Sequence, residues 1–430
     1  MEFIYVRIVY TKKKLTVFLV CFLFVAMFSS LHFSKVSAIE AYTYPKGLFF
    51  YGVHGALDSA QLSHCTAFDC VITEFGVTNI AALHALKPNI KILGYRSGVF
   101  TTNRSAEWSI ITTHEDWFVH ARDDGARLID GYYGAYLMNI SNPEWRSYII
   151  NETQQSVNTR DFDGIFIDNA WEKLNKDWFT WNWTLSKIPN LPNWKTDFET
   201  FFMDLNKTIA PHIIIANEMV WDYLPYVDGE LAENFPYWHS IDKIMTYSSQ
   251  GKTIWVAAGW GNVGDTYQNF TFSLSSYLLG VNSSKTVYSW ATYYDSVRGY
   301  YPEMDQIKQL GDPSGTAFHY DGSFRRTFSN GTVLVNNSTS SITVTLEKPL
   351  QFHNGTSILT FMLPGESGII LYDIATPAPT PTTPAPSPAI SPSPSPNYEA
   401  MPTFITISTE ALYPDFASPI EINGRLYNSR

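Results

Sequence analysis

Two segments of the chain repeat one pattern. Residues 163–169 read Asp-Gly-Ile-Phe-Ile-Asp-Asn, and residues 228–234 read Asp-Gly-Glu-Leu-Ala-Glu-Asn. Each is an Asp-Gly pair, three residues, a carboxylate and an Asn. On strands, side chains alternate with period two, so equal spacing sets Asp168 and Glu233 at one height on one face. Two converging carboxylates can open a glycosidic bond: one attacks or orients water at the anomeric carbon, the other protonates the departing oxygen. Asp is the shorter and more acidic of the two, so Asp168 suits the nucleophile. Glu233 suits the acid/base where burial or nearby negative charge raises its pKa. Glu230 is the rival acid, but its odd offset from Glu233 turns it to the opposite face. The plainer alternative is that each Asp-Gly closes a turn and each tip carboxylate caps a loop.

Something must hold those two tips together. Eight short apolar runs recur between residues 45 and 312: 47–53, 70–75, 90–95, 163–168, 212–217, 227–233, 253–258 and 287–293. Most are rich in Ile, Val, Phe and Tyr, as strands buried on both faces are. Amphipathic stretches separate them. Residues 142–158 open on Asn-Pro-Glu with Pro143 in the first turn, and 194–210 put Phe198, Phe201, Phe202 and Leu205 on one face. The expected fold is α/β, a (β/α)8 TIM barrel, with a doubly wound sheet as the alternative. Residues 316–374 change to short strands with turns at Asn330-Gly331 and Asn354-Gly355, a small antiparallel β-sandwich-like domain.

A barrel of this kind places chemistry at the C-terminal ends of its strands. Read that way, the expected substrate contacts are His54 and Asp58 after the first run, Glu74 after the second, and Tyr95 with Arg96 after the third. Asn169 and Trp171 follow Asp168, with Trp171 as the floor of a subsite. Asn217 and Glu218 end the fifth run, Trp260 follows the seventh, and Tyr293, Tyr294 and Asp295 end the eighth. Core packing or loop capping is the competing account of each.

Tyr51-Gly52-Val53, Ser141-Asn142-Pro143-Glu144-Trp145-Arg146 and Phe162-Asp163-Gly164-Ile165-Phe166-Ile167-Asp168-Asn169 resemble the hypothetical glycosyl hydrolase family 15. Arg325-Arg326-Thr327-Phe328-Ser329-Asn330-Gly331-Thr332-Val333-Leu334-Val335-Asn336 is similar too, so the likeness covers about residues 45–375. More distantly, an Asp ending strand four and an acid ending strand six resemble retaining glycosidases of the α-galactosidase and dextranase type. The resemblance implies glycosidase activity, with Asp168 as nucleophile and Glu233 as acid/base. Glu230 stands where the likeness calls for an apolar strand residue, which keeps the choice between the two Glu open.

The rest of the chain bears on where such an activity would operate. Arg7 and Lys12–Lys14 precede a short apolar run, 15–28, and Val36-Ser37-Ala38 offers a cleavage site, so 1–38 reads as a signal peptide, with an uncleaved anchor as the alternative. Eleven Asn-x-Ser/Thr sequons between Asn103 and Asn354 agree with export, and the expected product is an extracellular or cell-surface glycoprotein. Cys65 and Cys70, five residues apart outside the cell, are expected to form a local disulfide. Residues 376–397 are a Pro-rich linker, and 401–430 read as the start of an incomplete β module or a disordered tail.

Net charge −11 excludes nucleic acid as the main partner, since no basic stripe displaces phosphate counterions. The 13 Trp, 26 Tyr and 28 Phe favour a poly- or oligosaccharide, whose sugar faces stack on aromatic rings. Gly259-Trp260-Gly261-Asn262-Val263-Gly264 spells a dinucleotide fingerprint, but Trp260 blocks the close approach of a pyrophosphate. No cofactor or metal is expected. The rivals are a non-catalytic carbohydrate-binding or adhesion protein on the same barrel, and a polysaccharide deacetylase or lyase; a deacetylase would need a His/Asp metal cluster.

Overall fold

The computed structural model describes residues 42–50, 53–131, 134–174, 187–217, 221–236, 241–259, 266–290 and 301–374. The expected signal segment, linker and tail lie outside these, and the described residues fall in one compact unit ending at Ala375.

Eight parallel strands form one sheet: β1 (Gly47–Phe50), β2 (Cys70–Glu74), β3 (Lys91–Ser97), β4 (Gly164–Asp168), β5 (Ile213–Asn217), β6 (Gly229–Ala232), β7 (Thr253–Ala258) and β8 (Thr286–Trp290). They pair in chain order. A parallel bridge from Lys46 to Tyr288, with the Tyr288 amide donating to the Pro45 carbonyl at 3.0 Å, joins the last strand to the first. The (β/α)8 barrel is thereby nearly closed. Phe49, Ile72, Leu93, Phe166, Ile215, Leu231, Trp255 and Val287 point inward and fill it as one cluster. Their alternate neighbours face the surrounding helices.

Each helix follows from its own residues. α1 (Ser59–Thr66) starts at Asp58, whose carboxylate accepts from the Gln61 amide while Gln61 answers to the Asp58 amide, a capping box. α2 is Ile80–Leu86. α3 (Pro143–Thr159) is capped by Asn142, which accepts from the Glu144 and Trp145 amides. It buries Trp145, Ile149, Ile150, Thr153 and Val157. α4 (Trp194–Ile209) buries Trp194, Phe198, Phe201, Phe202, Leu205 and Ile209, the stripe a 3.6-residue period produces. α5 is Ile241–Ser249. α6 (Tyr267–Gly280) is buried almost all round from Phe270 onward, because it is covered on one side by the barrel and on the other by the second sheet.

That second sheet is antiparallel: β9 (Phe318–Tyr320), β10 (Ser323–Phe328), β11 (Gly331–Asn336), β12 (Ile342–Gln351), β13 (Ser357–Leu363) and β14 (Ser367–Tyr372). Its six strands hydrogen-bond in the order β9-β10-β11-β14-β12-β13. A register shift in β12 between Thr345 and Leu350 lets it curl around Leu334, Val344, Leu346, Leu350, Leu363 and Leu371. Arg326 on β10 sends Nη1 to the carbonyls of Leu278, Leu279 and Val281, so one guanidinium covers the C-terminus of α6.

The expected disulfide does not form. Cys65 is buried in the helix layer and Cys70 opens β2 among the residues lining the barrel interior, so the two thiols lie on opposite faces of the sheet. Burial pushes both thiols up to about 12.

Candidate active site

The doubled motif does different work at its two ends. At the N-terminal end, Asp163 accepts from the Ile92 amide and Asp228 from the Ile214 amide, both at 2.8 Å. Each first Asp therefore ties down the start of the preceding strand. The following glycines allow close strand approach: a Cβ on Gly164 would collide with the Ile213 carbonyl, and one on Gly229 with the Thr253 carbonyl. At the other end, Asn169 and Asn234 turn the chain off the strand at φ of 58° and 50°. Asn tolerates this left-handed conformation better than most residues. The same local geometry thus delivers Asp168 and Glu233 to the mouth of the barrel.

Period two decides which tip residues share that mouth. Glu74, Tyr95, Ser97, Asp168, Asn217 and Glu233 continue the rows of the inward-facing core residues. Tyr95 donates its hydroxyl to Asp168 Oδ2 at 2.8 Å. Asp168 Oδ1 accepts from Asn217 Nδ2 at 2.7 Å and from the Asn169 amide at 2.8 Å. The same Asn217 nitrogen lies 3.2 Å from Glu233 Oε2. One nitrogen therefore joins the two carboxylates and holds these oxygens within about 6 Å of each other. His54, with its side chain 74% exposed, places Nε2 3.2 Å from Glu74 Oε2, past the ends of β1 and β2.

Other expected contacts belong to the scaffold. Trp171 is not the floor of a subsite: it is completely buried, edge-on to Phe100. Its carbonyl accepts from Trp194 Nε1 and the Tyr223 hydroxyl, so the indole offers no face to a sugar. Arg96 is also excluded from the mouth. It is one residue out of phase with Tyr95, points to the helix layer, lies over Phe75 and pairs with Glu107 at 3.4 Å. Asp58 caps α1, and Asn169 donates its side-chain amide to Ser97 Oγ at 3.2 Å. Glu218, Trp260, Tyr293, Tyr294 and Asp295 lie outside the described residues.

Glu230 faces away from Glu233, as its odd offset requires. It is fully buried between β6 and the helices, and neither carboxyl oxygen has a hydrogen-bond partner among the described residues. Burial pushes its pKa well above the ordinary carboxylate range, against the weaker pull of Lys243 and Lys252. It cannot reach a substrate at the mouth. The residue that sequence reasoning missed is Ser97, two places beyond Tyr95 on the same face. Extending the alternation one step past the apolar run would have found it.

Among the described residues, no group of three or more His, Cys, Asp or Glu side chains is arranged to hold a metal ion. A depression of about 640 Å³ lined by His84, Lys91, Asp163 and His212 opens at the opposite, N-terminal end of the strands, remote from the carboxylate pair.

No curated protein matches the sequence. Solved structures do. The glycoside hydrolase domain of PelA from Pseudomonas aeruginosa matches 59% of this chain and 97% of its own at 14% identity and a TM-score of 0.42. The noncanonic maltogenic α-amylase AmyB from Thermotoga neapolitana matches 77% of this chain and 99% of its own at 10% identity and a TM-score of 0.48. An α-amylase from Geobacillus thermoleovorans, solved with acarbose, matches 77% and 98% at 14% identity and a TM-score of 0.45. The decisive comparison is at the level of sequence families, where a match runs from residue 84 to residue 332, more than half of the chain and across β4, β5 and β6 with their tips. That match leads to one assignment: this glycoside hydrolase belongs to the hypothetical glycosyl hydrolase family 15.

Proposed function

We propose that the protein is exported and cleaves O-glycosidic bonds of a poly- or oligosaccharide by a retaining mechanism, with Asp168 as nucleophile and Glu233 as acid/base. The observation that carries this reading is the single Asn217 nitrogen at 2.7 Å from one carboxylate and 3.2 Å from the other. Carboxyl groups about 5–5.5 Å apart suit direct attack on the sugar, whereas about 6.5–9.5 Å leaves room for the water of an inverting enzyme.

In the first step an Asp168 oxygen bonds to the anomeric carbon as the bond to the leaving oxygen breaks, and Glu233 gives that oxygen its proton. In the second, Glu233 takes a proton from water, the water oxygen bonds to the anomeric carbon and Asp168 departs. No step calls for a metal or cofactor. Tyr95, bonded to Asp168 Oδ2, fixes the plane of the nucleophile. The leader-like segment 1–38 and the sequons support export.

The test is a panel of aryl glycosides and polysaccharides given to the full chain, Asp168→Asn and Glu233→Gln. Loss of several orders of magnitude in both variants, with the first-formed sugar keeping its anomeric configuration by NMR, is the expected result. Activity that survives Asp168→Asn sinks the mechanism. Retention of a glycan by all three proteins without cleavage establishes the non-catalytic binder instead.

A further inference from the structure

We propose that Asn217 is a positioning residue that holds both carboxylates through one donor group and follows the negative charge between them as the reaction proceeds. This rests on the two-carboxylate reading above and replaces the expectation that Asn217 contacts sugar. The side chain stands at the tip of β5, the strand between those carrying Asp168 and Glu233, and the residue is only 3% exposed. So little free surface suits a role toward its neighbours better than one toward a ligand.

An Asn amide nitrogen has two hydrogens, and here two carboxylate oxygens stand before it. The bond to Asp168 Oδ1 is 2.7 Å and that to Glu233 Oε2 is 3.2 Å. Hydrogen bonds to charged acceptors are the shorter ones. The mechanism begins with charge on the nucleophile and the proton on the acid, and the shorter of the two bonds goes to the nucleophile.

When Asp168 bonds to the anomeric carbon its charge disappears, and when Glu233 releases its proton a charge appears there. The amide between them can strengthen one bond as it weakens the other with a shift of a few tenths of an ångström. Neither backbone movement nor entering water is required. Hydrolysis of the intermediate reverses the exchange. Tyr95 and the Asn169 amide touch Asp168, whereas Asn217 also reaches Glu233.

The experiment measures kcat and KM across pH for the full chain, Asn217→Ala and Asn217→Asp, beside Asp168→Asn and Glu233→Gln, on the aryl glycoside that the wild type cleaves fastest. Asn217→Ala is expected to lower kcat by about 10²-fold or more while KM stays within about threefold. Asn217→Asp is expected to be poor at neutral pH, where a third carboxylate faces the other two. It should recover on acidification, when its protonated carboxyl again offers a donor.

A raised KM with unchanged kcat makes Asn217 a sugar contact and overturns the proposal. So does an Asn217→Asp profile parallel to that of Asn217→Ala, which a merely structural role would give. If Asp168→Asn and Glu233→Gln are dead while both Asn217 variants keep wild-type kcat, the proposal fails and the two-carboxylate reading stands. If the wild type cleaves nothing, or the carboxylate variants remain active, the parent reading fails and takes the proposal with it.

Discussion

Glu230 gives the sharpest prediction about the folded chain. Its carboxyl is fully buried and both oxygens lack a partner among the described residues, so the folded protein keeps it protonated over a range where the unfolded chain does not. The folded state then binds one proton more than the unfolded state, and stability falls as pH rises. The penalty is absent below the unfolded carboxyl pKa of about 4.3 and grows by about 1.4 kcal/mol per pH unit until the folded carboxyl itself ionises. Each such unit counts against the roughly 5–15 kcal/mol that holds a domain together. Lys243 and Lys252 act in the opposite direction and shorten the range over which the penalty grows. Glu230→Gln removes the titration at nearly constant shape. Urea unfolding of both proteins between pH 4.5 and 8 should give curves that diverge, the variant gaining on the wild type as pH rises. Parallel curves would refute the argument. The same pair settles the choice between the two Glu: Glu230→Gln should leave kcat within about threefold, because this side chain faces the helices and not the mouth.

Other consequences are open to direct measurement. Gly164→Ala and Gly229→Ala each force a methyl against a neighbouring strand's carbonyl and should cost about 1–3 kcal/mol in unfolding free energy; a neutral effect at both would mean that the strands separate freely. Cys65 should react with a thiol reagent only on unfolding and the partly buried Cys70 slowly before it, and reductant should leave the unfolding midpoint unchanged. A mass two hydrogens lower in the oxidised protein would show a disulfide after all. Asn142→Ala removes the acceptor at the start of α3 and should destabilise by about 1 kcal/mol with kcat unaffected, as read from paired unfolding and rate assays.

Much of this architecture was legible because it obeys short periods. All eight barrel runs became strands, and the repeat around Asp168 and Glu233 marks two places where the chain solves the same local problem. Where the reading failed, the cause was one of phase or depth. Tyr95 and Arg96 are adjacent, and strand alternation sends one to the mouth and the other to Glu107. Trp171 follows Asp168 closely, yet the turn at Asn169 sends its indole into the core instead of over the mouth. Cys65 and Cys70 are close along the chain and divided by a sheet. Proximity in sequence carries no information about which side of a layer a residue faces, whereas parity along a strand does. The bridging role of Asn217 had no sequence signal of its own, because it depends on the spacing of three neighbouring strand tips.

Helix α6 has a different implication. Its two sides are covered by different parts of the chain: Phe270, Leu274, Leu278 and Trp290 share an apolar cluster with Phe328, Val333, Val335 and Tyr372 of the second sheet. The sheet is therefore the outer wall of the last βα units rather than an appendage to them. A ribosome that has finished the eighth barrel strand has already made the tips that carry Asp168, Asn217 and Glu233, but not yet the wall that keeps α6 dry. The chain must be synthesised about 80 positions further before α6 can be buried on both sides, so the last side of the barrel is the last to be completed.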